Sequence, residues 1–372
     1  MLEKKINNSH ISDNLTVLMS VEKLIKSNDF EKAVLLLQDV PENKLTKKEK
    51  ALKLFLTAKI ATFEGDFLTA SETAAAALKL FQKYNLLFEE AQTYFLLGNL
   101  YRVSGIFDSA DFMLRSAVKL FSFLKAEKYL AETFGTLGLL MGVQKRFDEA
   151  NQYFEKASAY AAKDKSIGDF ILCQQALLAL SDDKPLLAKK ILQPFSKGMC
   201  DTKATGLALE TLARISLSEK KYSSVIKNAK TAVEEYKKQK NFAGYFECCY
   251  LMATAYAKQN KLNQAEDVLR KIIEEEKLHK SCFFVANAYT LLGLVMLKKG
   301  EISRAKTIFN QALKHELRCD RKYGIAIDYA NLALLEKKYG SNDEALKNME
   351  AALCYAKGAD EDLYEAIKNL SD

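Results

Sequence analysis

A small apolar residue returns along this chain at Ala33, Ala70, Ala110, Ala150, Ala188, Val225, Ala265, Ala305 and Ala345, in steps of 37, 40, 40, 38, 37, 40, 40 and 40 residues. Each return carries the same surroundings, as in LLGNLYRVSGIFDSA (96–110), TLGLLMGVQKRFDEA (136–150) and LLGLVMLKKGEISRA (291–305). A unit this short cannot bury its own apolar faces, so the units must stack on one another. The 372 residues therefore read as one extended array rather than one globular core.

Within each unit the first segment places apolar residues around a small one at i, i+3, i+4, i+7: Tyr94, Leu97, Gly98, Tyr101, then Phe134, Leu137, Gly138, Met141. That spacing is one face of a helix. The small slot holds Ala58, Gly98, Gly138, Ala176, Ala213, Ala253, Gly293 and Ala333, as a close helix crossing requires. The second segment shows Ala110, Leu114, Ala117 or Ala150, Phe154, Ala157, again helical. Between them Gly65-Asp66-Phe67, Gly105-Ile106-Phe107 and Lys145-Arg146-Phe147 form turns, in which the glycine can take a left-handed cap and the aromatic wedges between the helices. Only three prolines and fifteen glycines interrupt a chain rich in Ala, Leu, Lys and Glu, which favours helix throughout.

The pattern resembles the tetratricopeptide repeat over about residues 14 to 356. The resemblance implies an all-α, right-handed superhelical solenoid of about nine helix-turn-helix hairpins with a C-terminal capping helix. The units are longer than the family's usual 34 residues. The family's tryptophan is replaced by Leu54, Tyr94, Phe134, Leu172, Leu209, Cys249, Tyr289 and Tyr329, and most units lack its proline, yet apolar bulk is kept.

The expected organisation is a disordered or short extension over 1–13, a single solenoid over 14–358 and a capping helix over 359–372, with Leu363, Ile367 and Leu370 as its apolar stripe. Thr46 and Glu49 form a capping box after Pro41. Pro185 and Pro194 fall in one unit, where Ser181-Asp182-Asp183 shortens the turn. The second helix there should end or kink early, making 181–198 a joint between a front and a rear half.

Charge and chemistry exclude several classes. The 55 basic and 48 acidic residues leave a net charge of +7, interspersed rather than striped. Seven cysteines, at 173, 200, 248, 249, 282, 319 and 354, form no C-x-x-C pair and suit free thiols in a reducing compartment. No secretory signal and no membrane span is legible, so a cytoplasmic protein is expected, with signal-independent export leaving the same sequence signature. The pairs His279/Cys282 and His315/Cys319 lack the compact spacing of zinc modules. Gly135, Gly138 and Gly142 lie in a helical pattern, where close packing explains them better than a phosphate loop. No nucleophile stands beside a histidine and an acid, so no enzyme, metal or cofactor is expected.

Function is sought in the groove that first helices line in such arrays. The residues free of packing are Gln92, Phe95, Asn99, Arg102 and Val103; Glu132, Gly135, Leu139, Gly142 and Val143; then Phe170, Cys173, Leu177, Leu180 and Ser181. Phe95, Asn99, Arg102, Val103, Leu139, Val143, Phe170, Cys173, Leu177 and Leu180 are the candidate partner-binding residues, an apolar groove with Asn99 and Arg102 placed to hydrogen-bond a backbone or a carboxylate. The rear groove, with Glu210, Arg214, Glu247, Lys258, Asn287, Lys298, Lys337 and Lys338, is mixed and wetter. Some family members clamp acidic chaperone tails, but Phe55, Phe95 and Gly135 occupy the places that clamp needs. Other long-repeat relatives are signalling-peptide receptors joined to an output domain, for which the first fourteen residues leave no room.

The expected function is a non-catalytic scaffold or adaptor that binds a peptide or helix of another protein. The alternatives are a peptide-sensing array that changes curvature and an RNA-binding helical repeat. Self-association through stacking surfaces stays open, nucleic acid is disfavoured, and no membrane attachment is implied.

Overall fold

The computed structural model describes residues 2–196, 202–279, 282–318 and 321–371. Gly198, Cys200 and Cys319, and the side chains of His279 and Cys282, lie outside the described residues. Twenty α-helices and one 3-10 turn make up the described chain, with no strand among the described residues.

The helices follow as antiparallel pairs: α1 (Leu2–Lys26) with α2 (Phe30–Gln38), α3 (Lys47–Glu64) with α4 (Phe67–Lys83), α5 (Leu87–Val103) with α6 (Phe107–Phe123), and α7 (Glu127–Val143) with α8 (Phe147–Ala161). Next stand α9 (Lys165–Ser181), α10 (Pro185–Ile191) and the short α11 (Gln193–Ser196), then α12 (Thr202–Ser218) and α13 (Tyr222–Lys238). The chain continues through α14 (Phe242–Lys258), α15 (Leu262–His279), α16 (Cys282–Lys299), α17 (Ile302–Arg318), α18 (Lys322–Tyr339) and α19 (Asn342–Lys357), and closes with α20 (Glu361–Ser371). It is the all-helical, hairpin-by-hairpin array that the period implies. The backbone of the expected N-terminal extension is already helical from Leu2.

The turn that makes each hairpin recurs with the period. Five residues before the repeated small residue, the chain takes a positive φ at Asn28, Gly65, Gly105, Lys145, Asp183, Lys220, Asn260 and Gly300, between 52° and 79°. At Gly105 the Ile106 N–H donates to Tyr101 O at 2.8 Å and the Gly105 N–H to Arg102 O at 3.3 Å, which closes the helix with a Schellman pair. Lys145 closes its helix the same way, Arg146 N–H donating to Met141 O at 2.9 Å. The left-handed residue thus stops the first helix and reverses the chain. Phe67, Phe107 and Phe147 then pack against the cores their hairpins build.

The repeated second-helix positions are fully buried: Ala110, Leu114, Ala117, Ala150, Phe154 and Ala157 have no exposed surface. Burying a Leu or Phe side chain contributes about 1.5–3 kcal/mol, so these layers hold each hairpin to the next. Thr46 and Glu49 make the capping box, with the Thr46 N–H donating to Glu49 Oε2 at 2.7 Å and the Glu49 N–H to Thr46 Oγ1 at 3.3 Å. At α10 the second helix stops after seven residues, with Pro185 in its first turn, and Pro194 opens the next short helix.

Two compact units emerge: the first comprises Met1–Phe63, Phe67–Ser218 and Glu234–Phe242, the second Glu64–Asp66, Glu219–Val233 and Ala243–Asp372. Inside the first, Asn28 Nδ2 donates to Gln239 O at 3.1 Å and Lys240 pairs with Asp29 at 3.1 Å, which attaches 234–242 to it. In the second, Ile367 of α20 is 3% exposed in a core with Ala333, Met349 and Ala356. Leu363 joins that core, whereas Leu370 stays 47% exposed, so the cap's stripe is narrower than its sequence implies.

Candidate binding groove

Three consecutive first helices of the first unit, α5, α7 and α9, line a groove of about 590 Å³, closed at one side by Ala204 of α12. That volume suits a side chain cluster or a short peptide stretch. Helix α5 contributes Phe95, Asn99 and Arg102; α7 contributes Lys128, Glu132, Thr136 and Leu139; α9 contributes Ser166, Ile167, Phe170 and Gln174. Apart from the adjacent Ser166 and Ile167, the lining on each helix recurs at three- or four-residue spacing, one stripe per helix.

Five candidates read from the sequence therefore meet: Phe95, Asn99, Arg102, Leu139 and Phe170. Phe95 and Leu139 lean half-buried on the core around Leu137 and Phe154, while Phe170 stands 44% exposed. Val103 and Val143, at the C-terminal ends of α5 and α7, are exposed but do not line the groove. Leu177 does not line it either, and Leu180 packs half-buried against Ala188 and Leu192. Cys173 requires a correction, because it is fully buried beside Ala176 and Ala208 with its Sγ 3.9 Å from Ala204 O. A small thiol there fills the seam between α9 and α12.

The discrepancy has one geometrical source. Subtracting the repeat offsets of 40 and 38 residues, the α7 lining 128–139 corresponds to positions 88–99 of α5, and the α9 lining 166–174 to 88–96. The groove drops toward the helix N-termini as it crosses the array, so slots copied from α5 land one turn too far along α9. Lys128, Thr136, Ser166, Ile167 and Gln174 were missed for this reason. Their signal is present as polar residues one turn from the candidates, Lys128 before Glu132 and Gln174 after Phe170.

Gln174 is held by a gap in α7. It is 7% exposed, and a Cβ built on Gly135 would lie 2.7 Å from its Oε1. Its amide makes no side-chain hydrogen bond among the described residues. Gly138 and Gly142 serve packing as well, their Cβ positions lying 2.9 Å from Phe154 and 2.5 Å from Leu178.

The electrostatics of the groove are uncompensated. Arg102 donates through Nε and Nη2 to Asn99 Oδ1 at 3.3 and 3.2 Å, a neutral partner, and burial pulls its guanidinium below the ordinary value. Burial raises the Glu132 carboxyl above the usual carboxylate range, with the nearby Lys128 opposing the shift. Lys59 of α3 feels the Glu132 charge too, but burial dominates and lowers its ammonium. Among the described residues neither Glu132 nor Lys128 makes an ion pair, though Lys128 acts on Glu132 from a distance.

The rear charges are differently spent. Glu210, 7% exposed, accepts from Tyr236 Oη at 2.7 Å and pairs with Arg214 at 3.1 Å. In the second unit Lys298 donates to Ala257 O at 3.4 Å and Arg321 to Asn287 Oδ1 at 3.3 Å. That unit also encloses two carboxyls: Asp328 is fully buried with Oδ2 unpartnered, and Glu316 is 1% exposed with Arg321 Nε 3.4 Å away. His315 stacks on Tyr289 with centroids 5.5 Å apart. The described cysteines 173, 248, 249 and 354 are free thiols. Among the described residues no helix is long and apolar enough to cross a membrane.

Comparison with known proteins agrees with this architecture. Residues 246–277 and 286–314 match the tetratricopeptide repeat family model. No curated protein sequence matches the chain significantly. Among solved structures, NprR in complex with its cognate peptide NprX superposes with a TM-score of 0.59 at 16% identity, over 92% of this chain and 88% of that one. The Rap protein complexed with Competence and Sporulation Factor gives 0.52 at 12% identity, over 88% and 98%. A STAND protein from Pyrococcus horikoshii with a tetratricopeptide repeat sensor gives 0.52 at 13% identity over 93% of this chain, which spans only 55% of that protein. At such identities the likeness is one of fold. The nine-fold period, the helical hairpins it encodes and the matched segments make this chain a repeat protein of the tetratricopeptide type.

Proposed function

We propose that this chain is a non-catalytic interaction scaffold, whose first unit holds a peptide or helical segment of another protein in the groove of α5, α7 and α9. One observation carries the reading: an aromatic side chain, Phe170, stands 44% exposed in the groove that is also lined by Arg102, paired only to a neutral amide, and by Gln174, which has no side-chain hydrogen bond among the described residues. Exposed apolar surface flanked by unsatisfied polar groups is what a partner segment covers. The NprR and Rap structures hold a peptide and Competence and Sporulation Factor on the same fold. Catalysis is not part of the reading. Free thiols at Cys173, Cys248 and Cys249 suit the reducing cytoplasm, where we place the protein.

Capture from native lysate tests it, comparing the intact chain with a Leu139→Glu, Phe170→Glu variant whose circular dichroism is unchanged. A protein captured by the intact chain and lost from the variant supports the reading. Identical captures by both forms contradict it.

A further inference from the structure

Resting on the scaffold reading, we infer that the groove selects its peptide by charge polarity: an extended segment with a carboxylate at Arg102, a cationic group at Glu132 and an apolar side chain between them on Leu139.

The inference rests on three unfinished interactions. Arg102 is bonded only to Asn99, whose carbonyl is neutral, so the guanidinium retains donors for a carboxylate. Glu132 lines the same groove with neither a hydrogen bond nor an ion pair to its carboxylate among the described residues. Gln174 offers a donor and an acceptor together, which is what an extended backbone requires, and the missing side chain of Gly135 leaves room for its amide. A half-buried cation and anion that do not meet each other are costly unless something bridges them.

The spacing sets the length of that bridge. Arg102 corresponds to position 142 of α7, ten residues beyond Glu132. At about 1.5 Å per residue the two charges are offset by about 15 Å along the helices. With the roughly 8–10 Å between packed helices at right angles to that offset, the separation is about 18 Å, which an extended chain covers in about five to six residues. Leu139 lies between the charged ends and Phe170 of α9 stands level with Glu132, so together they favour an aliphatic or aromatic anchor beside the charges. Lys128 and Lys59 are two cations already near Glu132, so a lone basic group binds less well than one joined to a carboxylate.

The test is selection of an mRNA-displayed random octapeptide library on the full chain, repeated on Arg102→Glu, Glu132→Lys and Phe170→Glu variants with unchanged circular dichroism. Expected is a pool carrying one acidic and one basic residue about five positions apart around an apolar one. Synthetic members should bind Arg102→Ala about ten- to a hundredfold more weakly. Selection on Glu132→Lys should replace the basic residue with an acidic one. Peptides that lose binding to Phe170→Glu but show no charge pattern, or ignore both charge reversals, overturn the polarity inference and leave the scaffold reading intact. No enrichment over the naive library, or peptides indifferent to Phe170→Glu, overturns both.

Discussion

A Cβ placed on Gly138 of α7 would lie 2.9 Å from the Phe154 ring of α8, sixteen residues on, and Phe154 has no exposed surface into which it can retreat. The same step joins Gly98 to Leu114 at 2.6 Å and Gly293 to Phe309 at 2.5 Å. Glycine therefore occupies these slots because a bulky side chain from the second helix fills them. Hairpin closure and core filling are one contact.

Gly138→Ala should accordingly destabilise the fold. Overpacking costs about 1–3 kcal/mol, and the better helix propensity of alanine returns about 1 kcal/mol. Gly168 in α9 is the control, since its nearest neighbour would be Ala161 O at 3.9 Å. Urea titrations should show Gly168→Ala stabilised by up to about 1 kcal/mol and Gly138→Ala shifted the opposite way.

The left-handed turn position makes a second pair of opposed variants. Lys145 holds φ 59° where Gly105 holds φ 78°, and a side chain in that region costs about 1–2 kcal/mol. Lys145→Gly should raise the denaturation midpoint and Gly105→Val should lower it, each by about 1 kcal/mol. Equal and same-signed effects would mean that the turn does not set hairpin stability.

Stability should also depend on pH through the second unit. Burial pushes Asp328 up to about 8 and Glu316 to about 7, in Glu316 against the opposing Arg321. The Thr290 hydroxyl donates to Asp328 Oδ1 at 2.8 Å and opposes the rise, but burial outweighs it. Both folded values lie above the unfolded ones, so the folded chain keeps protons that the unfolded chain has already lost. Stability then falls as pH rises from about 4 to about 8 and levels above that. Asp328→Asn should flatten the profile and gain at least about 1 kcal/mol at pH 8. A wild-type profile flat over this window would show both carboxyls ionised in the fold.

The fold was legible because its determinants repeat: Ala110, Ala150 and Ala305 mark a buried contact made again and again, and each copy confirms the others. The groove was only half legible. Phe95, Asn99, Arg102, Leu139 and Phe170 follow from assigning one face of each first helix, but that assignment assumed a groove parallel to the repeat. The groove runs obliquely, so Cys173 falls in the core and Gln174 replaces it on the wall. Nothing in periodicity announces Gln174, whose place depends on a glycine in the neighbouring helix.

The most direct test of a partner-binding groove is photo-crosslinking in cells with benzoylphenylalanine substituted at Phe170, and separately at Phe112, 63% exposed on α6 away from the groove. A discrete protein adduct from position 170 that is absent from position 112 is the predicted result. Adducts of the same proteins from both positions, or from position 112 alone, would contradict it.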